Sequence, residues 1–295
     1  MPLVQPDSYR KPRRCGGEIM SQDFRDAVKP GLPTEESMKR FYLAVLVGIM
    51  ITSFSASHSA AEEKPTASAS MGAFSKYIWR GYELSNDSVV IQPSLTVGYS
   101  GFTMNLWGNL DTDFDDRDPA TPDKKEWNET DLTLEYARKF GPARVGVGYI
   151  YYALDGVDDS EELYLSTGLD VFLAPTLTIY REISHAPQWY VKLAIGHSFE
   201  LGKGGMSLDL GASVSYNHSD DDDFTKENST EKYRAFHDGN LSAGLKIPVG
   251  KYLVVNPVLA YSFPLSDTAK EHIEATSYSG DSDFLYGGVN VSLSF

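Results

Sequence analysis

The sequence predicts an all-β chain, a transmembrane antiparallel up-and-down β-barrel of about twelve strands. Three observations predict it. Apolar residues are mostly spread singly between polar ones rather than gathered in long runs or helical stripes, the pattern of strands whose two faces meet different surroundings. The alternating segments are each close to the ~9–11 residues that cross a bilayer at a tilt. Aromatic residues make up 12% of the chain, with 18 Tyr and 14 Phe, and they recur near segment ends, where such rings settle at membrane interfaces.

The N-terminal part reads as export machinery rather than fold. Met38-Lys39-Arg40 supplies a positive n-region, and Phe41 to Phe54 supplies an apolar stretch shorter than the ~20 residues of a spanning helix. A small-residue tract, Ser55 to Ala61, follows, and Ser59 and Ala61 satisfy the cleavage pattern. The expected organisation is therefore a non-native extension over 1–37, a signal peptide over 38–61 and a barrel over 62–295. The extension is polar and Pro-rich, and Met38 is the expected start because a secretory signal belongs at the extreme N-terminus. A genuine long n-region is the alternative.

Without residues 1–61 the chain holds 18 basic and 35 acidic side chains, a formal charge of −17. Nucleic acid needs clustered Lys and Arg to replace phosphate counterions, so this balance argues against it as a partner. The single cysteine, Cys15, lies in the extension. From residue 62 onward a disulfide, a thiolate nucleophile and a Cys-ligated metal are excluded.

The twelve segments run approximately over 69–81, 88–99, 102–112, 127–139, 143–154, 161–173, 176–184, 188–200, 205–217, 233–247, 251–264 and 283–295. Connections after even-numbered segments are tight: Ser100-Gly101, Gly141-Pro142, Ala174-Pro175, Gly202-Lys203-Gly204 and Val249-Gly250, the residue types that such turns demand. Connections after odd-numbered segments are longer and acidic, as in Thr112 to Glu126, His218 to Lys232 and Ser266 to Ser282. That asymmetry fits a bacterial outer-membrane barrel with both termini in the periplasm. In the last segment Leu285, Val289, Val291, Leu293 and Phe295 point one way, and Tyr286, Gly288, Asn290, Ser292 and Ser294 the other. Tyr99, Phe102, Trp127, Phe140, Trp189, Phe199, Tyr252 and Phe263 are the expected interface girdles. The terminal Phe295 resembles the assembly signal that the barrel-insertion machinery reads; a soluble edge strand ending in Phe is the bland alternative.

Ser75-Lys76-Tyr77-Ile78-Trp79-Arg80-Gly81, then Gln92-Pro93, Gly98, Gly101-Phe102 and Trp107-Gly108-Asn109, resemble the start of the TorF porin family, conserved bacterial exported proteins. The match covers residues 68–112 and is general in character beyond them. The resemblance implies an outer-membrane barrel and a pore, and little chemistry. Trp79-Arg80-Gly81 is its most specific element. Arg80 is read as a rim residue beside an interface anchor and a tight bend, or else as a pore-facing charge acting on the solute.

A barrel that is an enzyme needs a nucleophile and a base within reach of each other. His197-Ser198 and His218-Ser219 are adjacent in sequence, which puts each pair on opposite strand faces and removes the geometry of a His–Ser dyad. His197 falls on the lipid register and reads as an interfacial histidine. Asp220 to Asp223 lacks the spaced ligands and Gly of a calcium loop, and reads as a solvated loop or as a loose contact for divalent cations at the lipopolysaccharide surface. No cofactor and no metal centre is expected. Asp131, Glu135, Glu162, Asp170, Lys192, Glu200, Asp209 and Lys246 share the inward register and, with Arg80, are the candidate pore-lining residues. A basic group held at mid-bilayer on the lipid side would cost about 2–4 kcal/mol, so this register implies a wet or polar interior. The expectation is a narrow, cation-leaning diffusion channel for small solutes, with outer-membrane lipid and lipopolysaccharide as its surroundings. The alternative is a closed structural or surface-interaction barrel whose interior is filled by a salt-bridge network.

Overall fold

A strand with one apolar and one polar face satisfies its backbone in lipid only when both edges are paired, and closing the sheet on itself pairs them all. The computed structural model describes residues 64–114, 124–202 and 204–295. The expectations placed on 1–37 and 38–61 lie outside the described residues. The main sheet is a closed antiparallel barrel of twelve strands. They are β1 (Thr66–Phe74), β4 (Val90–Tyr99), β5 (Phe102–Phe114), β6 (Lys124–Phe140), β7 (Ala143–Leu154), β8 (Ser160–Leu169), β9 (Thr176–Glu182), β10 (Gln188–Glu200), β11 (Ser207–Ser219), β12 (Arg234–Val249), β13 (Leu253–Pro264) and β14 (Phe284–Ser294). Neighbours in sequence pair in space, and β14 returns to β1 with Ser68 opposite Ser294 and Phe74 opposite Gly288. Phe295 extends the seam by donating its N–H to the Ala67 carbonyl at 2.9 Å, and its ring stacks on Tyr252.

The outer surface carries the apolar half of the alternation. Leu95, Leu106, Leu134, Leu165, Leu193, Leu210 and Leu259 are exposed around the barrel, and Tyr99, Phe102, Phe140, Phe172 and Phe199 ring the turn end while Trp127, Trp189 and Phe236 stand at the loop end. An exposed band of this kind is a surface for lipid, flanked by aromatic girdles, and the molecule is an outer-membrane barrel.

Three departures from the expected segments matter. The first segment was expected to reach Gly81, but β1 stops at Phe74 and residues 75–89 leave the wall. They form a small hairpin, β2 (Ile78–Trp79) and β3 (Tyr82–Glu83). Its two turn residues, Arg80 at φ 49° and Gly81 at φ 82°, are both left-handed, the requirement of a type I′ turn. Ser100 and Gly101 repeat that geometry, at φ 52° and 86°, between β4 and β5. The sixth segment was expected to reach residue 173, but β8 ends at Leu169 and Asp170 falls in the turn. Finally, the connection 266–282 contains a helix, α1 (Asp267–Thr276), whose N-cap Ser266 accepts from the Ala269 N–H at 3.2 Å. Ser266 followed by Asp267 is a sound helix start; the acidity of the whole stretch masks it.

The hairpin lies inside the barrel. Tyr77 meets Trp107 on β5, Trp79 meets Tyr152 on β7, Arg80 reaches β8, β9 and β10, and the Arg80 carbonyl is bonded from His237 on β12. A segment outside the wall cannot touch strands on so many sides. Tyr82, Ile273 of α1 and Phe284 form a buried cluster with Ile78, Trp79, Leu84 and Tyr286 against it, and Phe224, Tyr233, Ala235 and Ala269 form a second. The buried apolar side chains thus gather at the loop end, where a water-soluble domain would have put them in its middle.

Candidate functional site

The site is built from the hairpin tip and three consecutive strands. On β8, β9 and β10 the inward positions place Glu162, Tyr180 and Tyr190 side by side, with Tyr180 opposite Tyr190 and Tyr164 opposite Tyr180 in register. Arg80, at the tip of the hairpin, points its guanidinium into this group. Its Nη1 and Nη2 donate to Glu162 Oε1 and Oε2 at 2.8 and 2.6 Å, the fork-on-fork geometry that a carboxylate and a guanidinium share. The guanidinium carbon stands 4.4 Å from the Trp79 ring centre, 4.6 Å from Tyr180 and 4.4 Å from Tyr190. The two side chains of the pair are 10% and 2% exposed, so the charges depend on each other and on the rings rather than on water.

Wall residues hold the cage in place. The Tyr152 hydroxyl donates to Glu162 Oε2 at 2.9 Å, and the Tyr190 hydroxyl donates to Asp238 Oδ1 at 2.7 Å, which also accepts from Ser215 Oγ. The Arg80 carbonyl can only accept, so His237 Nε2, 3.0 Å away, carries a proton, and the His237 Nδ1 lies 2.6 Å from the Tyr233 hydroxyl. Gly81 makes the approach possible: a Cβ there would lie 2.9 Å from the Asp238 Cβ. On the other side of the hairpin, Glu83 accepts from Lys76 at 2.7 Å and from both the N–H and the hydroxyl of Ser279.

The candidate pore-lining residues separate into two groups inside the barrel, with Asp170 outside both. Arg80 stands inside the barrel rather than at the rim, and Glu162 is its partner. Asp131 lies above the middle of β6, opposite Trp107 and Tyr152. Glu135, Lys192, Asp209, Glu200 and Lys246 line the turn-end half. Glu135 accepts from Arg144 at 2.7 Å and from Tyr164 at 2.9 Å, Asp209 accepts from Ser207 at 2.9 Å, and Lys192 sits between Thr178 and Ser215. Glu200 and Lys246 flank Ser207 from either side and are exposed. Asp170 is exposed in its turn, paired with Lys139 at 2.6 Å. Ser94, Thr96, Asn105, Ser166 and Thr178 fill the same half with hydroxyls and amides, Asn105 donating to Ser94 and Thr96 at 2.7 and 2.8 Å.

Tyr152, Tyr180, Tyr190, His237 and Asp238 belong to the site and were missed from sequence. Tyr180 and Tyr190 have the inward parity that alternation gives, which was the available signal; their approach to a residue a hundred or more positions upstream leaves no mark. His197 faces outward between Phe172 and Phe199, with both ring centres at 4.6 Å, an interfacial position. In the acidic loop, Asp220 accepts from Arg181 at 2.5 Å and Asp222 pairs with Lys232 at 2.8 Å. Among the described residues no group of three or more His, Cys, Asp or Glu is arranged to hold a metal ion.

Neither a protein-family model nor a curated relative matches the chain. Solved structures similar to it are mostly porins and outer-membrane channels. The NanC porin is 10% identical over 78% of this chain and 98% of its own, with a TM-score of 0.47. An outer membrane channel from Pseudomonas putida F1 is 12% identical over 81% and 98%, with a TM-score of 0.48. LpxR from Salmonella typhimurium is 8% identical over 78% and 99%, with a TM-score of 0.42. These likenesses concern the barrel and carry nothing about a solute.

Proposed function

We propose that the chain is a porin-like outer-membrane channel for passive diffusion of small solutes, cation-leaning, and a member of the TorF porin family. The observation that carries the reading is the turn-end half of the lumen. Its inward positions hold hydroxyls, amides and glycines, with Lys192, Asp209, Glu200 and Lys246 among them. Unpacked charges on an inward register need water beside them. Glu135, Asp209 and Glu200 on the inward register keep exposure while Glu162 is already paired with Arg80, and carboxylates along a pore favour cations.

Twelve strands stand between the eight that side chains fill and the sixteen or more that leave a wide channel, so the hairpin decides how much passes. A closed barrel is the second reading, favoured by the hairpin, α1 and the 220–233 loop packed together at the loop end. On either reading the chain carries no catalytic step. Its partners are outer-membrane lipid and lipopolysaccharide around the apolar band, the barrel-assembly machinery at Phe295, and small solutes within. The test is conductance and reversal potential of the refolded chain in a planar bilayer under a salt gradient. Discrete cation-selective steps are expected; a folded barrel that stays electrically silent overturns the channel and leaves the closed one.

A further inference from the structure

Arg80 occupies a receptor that it does not itself build. Glu162, Tyr180 and Tyr190 come from three consecutive wall strands, and their orientation rests on other wall residues: Tyr152 on Glu162, Asp238 and Ser215 on Tyr190. Tyr180 and Tyr190 hold their ring centres 6.0 Å apart, leaving two faces and a carboxylate around one volume the size of a guanidinium. Glu182, directly opposite Glu162 in register, is engaged elsewhere, accepting from the N–H groups of Ser184, His185 and Ala186. Glu162 is therefore the carboxylate that the volume presents. Two aromatic faces and one desolvated carboxylate are the chemistry that selects an organic cation, planar guanidinium above all.

The occupant's own backbone pairing is slight by comparison with the wall. The hairpin has two residue pairs of ladder, Ile78 with Glu83 and Trp79 with Tyr82, and reaches β1 and β4 through single strands of chain. A segment of that size is held by what its tip and flanks touch, not by its own backbone pairing.

We propose that Glu162, Tyr180 and Tyr190 form a lumenal binding subsite for solutes bearing a guanidinium or primary alkylammonium group, and that Arg80 is its built-in occupant, which such a solute displaces. The proposal rests on the channel reading for the solute's route, but the subsite can be measured without a pore. Displacing the Arg80 side chain removes one of the hairpin's anchors, while the His237 bond to the Arg80 carbonyl, the Tyr82–Ile273–Phe284 cluster and the Ser279 bonds to Glu83 keep the hairpin seated.

The test uses the full chain refolded in detergent with Arg80→Asn. Asparagine tolerates the left-handed turn conformation and removes the guanidinium without touching the wall. Ethylguanidinium is the probe, followed by calorimetry and by the thermal midpoint. Saturable binding with a rise in midpoint is expected, absent for the neutral isostere ethylurea. Adding Tyr190→Leu is expected to weaken binding about tenfold, and adding Glu162→Gln to abolish it. The unsubstituted chain binds far more weakly, because its own arginine competes. No saturable binding to an Arg80→Asn barrel that keeps its folded gel mobility overturns the subsite, as does equal binding after Glu162→Gln. A chain that is silent in the bilayer yet binds the probe sinks the channel and leaves the subsite standing; a conducting chain whose Arg80→Asn form binds nothing does the reverse.

Discussion

Arg80 and Glu162 show what a single buried ion pair commits a structure to. Glu162→Gln leaves a guanidinium desolvated and half-compensated, and removing one partner of such a pair costs about 3–5 kcal/mol; the urea midpoint of the barrel in detergent measures it. Glu162→Gln together with Arg80→Asn removes both charges and is expected to cost less than the single change, which a double-mutant cycle reads directly. Gly81→Ala tests the turn independently. It forces a Cβ into the left-handed region, a cost of about 1–2 kcal/mol, and toward the Asp238 Cβ at 2.9 Å, so the expected result is a hairpin that no longer seats and a Trp79 that becomes accessible to aqueous quenchers.

At the scale of elements, α1 is the lid over the hairpin, and His272 is where it docks. Its ring lies 5.8 Å from Tyr82, 5.0 Å from Phe224 and 4.8 Å from Tyr233, and its Nδ1 is 3.0 Å from Glu227 Oε1. Burial among these rings holds the imidazole below its ordinary range, against the opposing pull of the Glu227 carboxylate. The sign follows from proton counts. Between the folded and unfolded values the unfolded state binds more protons, so the docking of α1 weakens as pH falls through about 6.5, where a free histidine titrates. Hydrogen exchange of the α1 amides at pH 7.5 and pH 5 is expected to show faster opening at the lower pH, with the barrel strands unchanged, and His272→Gln is expected to remove the difference. Ser266→Ala, which deletes the N-cap, is expected to cost about 1 kcal/mol of helix stability and to speed exchange at both pH values.

The interior of the barrel divides along its axis into a half lined by hydroxyls, amides and charges and a half packed with rings. Replacing residues 76–88 by a short Gly/Ser turn removes the hairpin's share of the loop-end packing without touching a wall strand. The expected outcome is a severalfold larger single-channel conductance with the same barrel fold by circular dichroism. If conductance is unchanged, the hairpin lies off the permeation route. The wall itself was legible from sequence: eleven of the strands follow the expected segments within a few residues of their ends, since a two-residue period leaves its mark wherever lipid stands on one side and water on the other. The first strand broke the rule, because residues 75–81 continue the alternation while packing inside the barrel, where Tyr77, Trp79 and Tyr82 meet other rings instead of lipid.

By itself the sequence determined the architecture of the wall, the alternation of faces along most of its strands, the tight turns and the acidic, cysteine-free character of the barrel. Each of these follows from local alternation, turn chemistry or simple charge, all of which act over a few neighbouring residues. The tertiary structure decided that the segment ending in Trp79-Arg80-Gly81 turns inward, that Arg80 meets Glu162 eighty-two residues away, and that Tyr180 and Tyr190 close around it. Closing the barrel brings strands distant in sequence to one axis, and contacts across that axis depend on which inward side chains share a height in the wall, a quantity set by register and not by any local pattern.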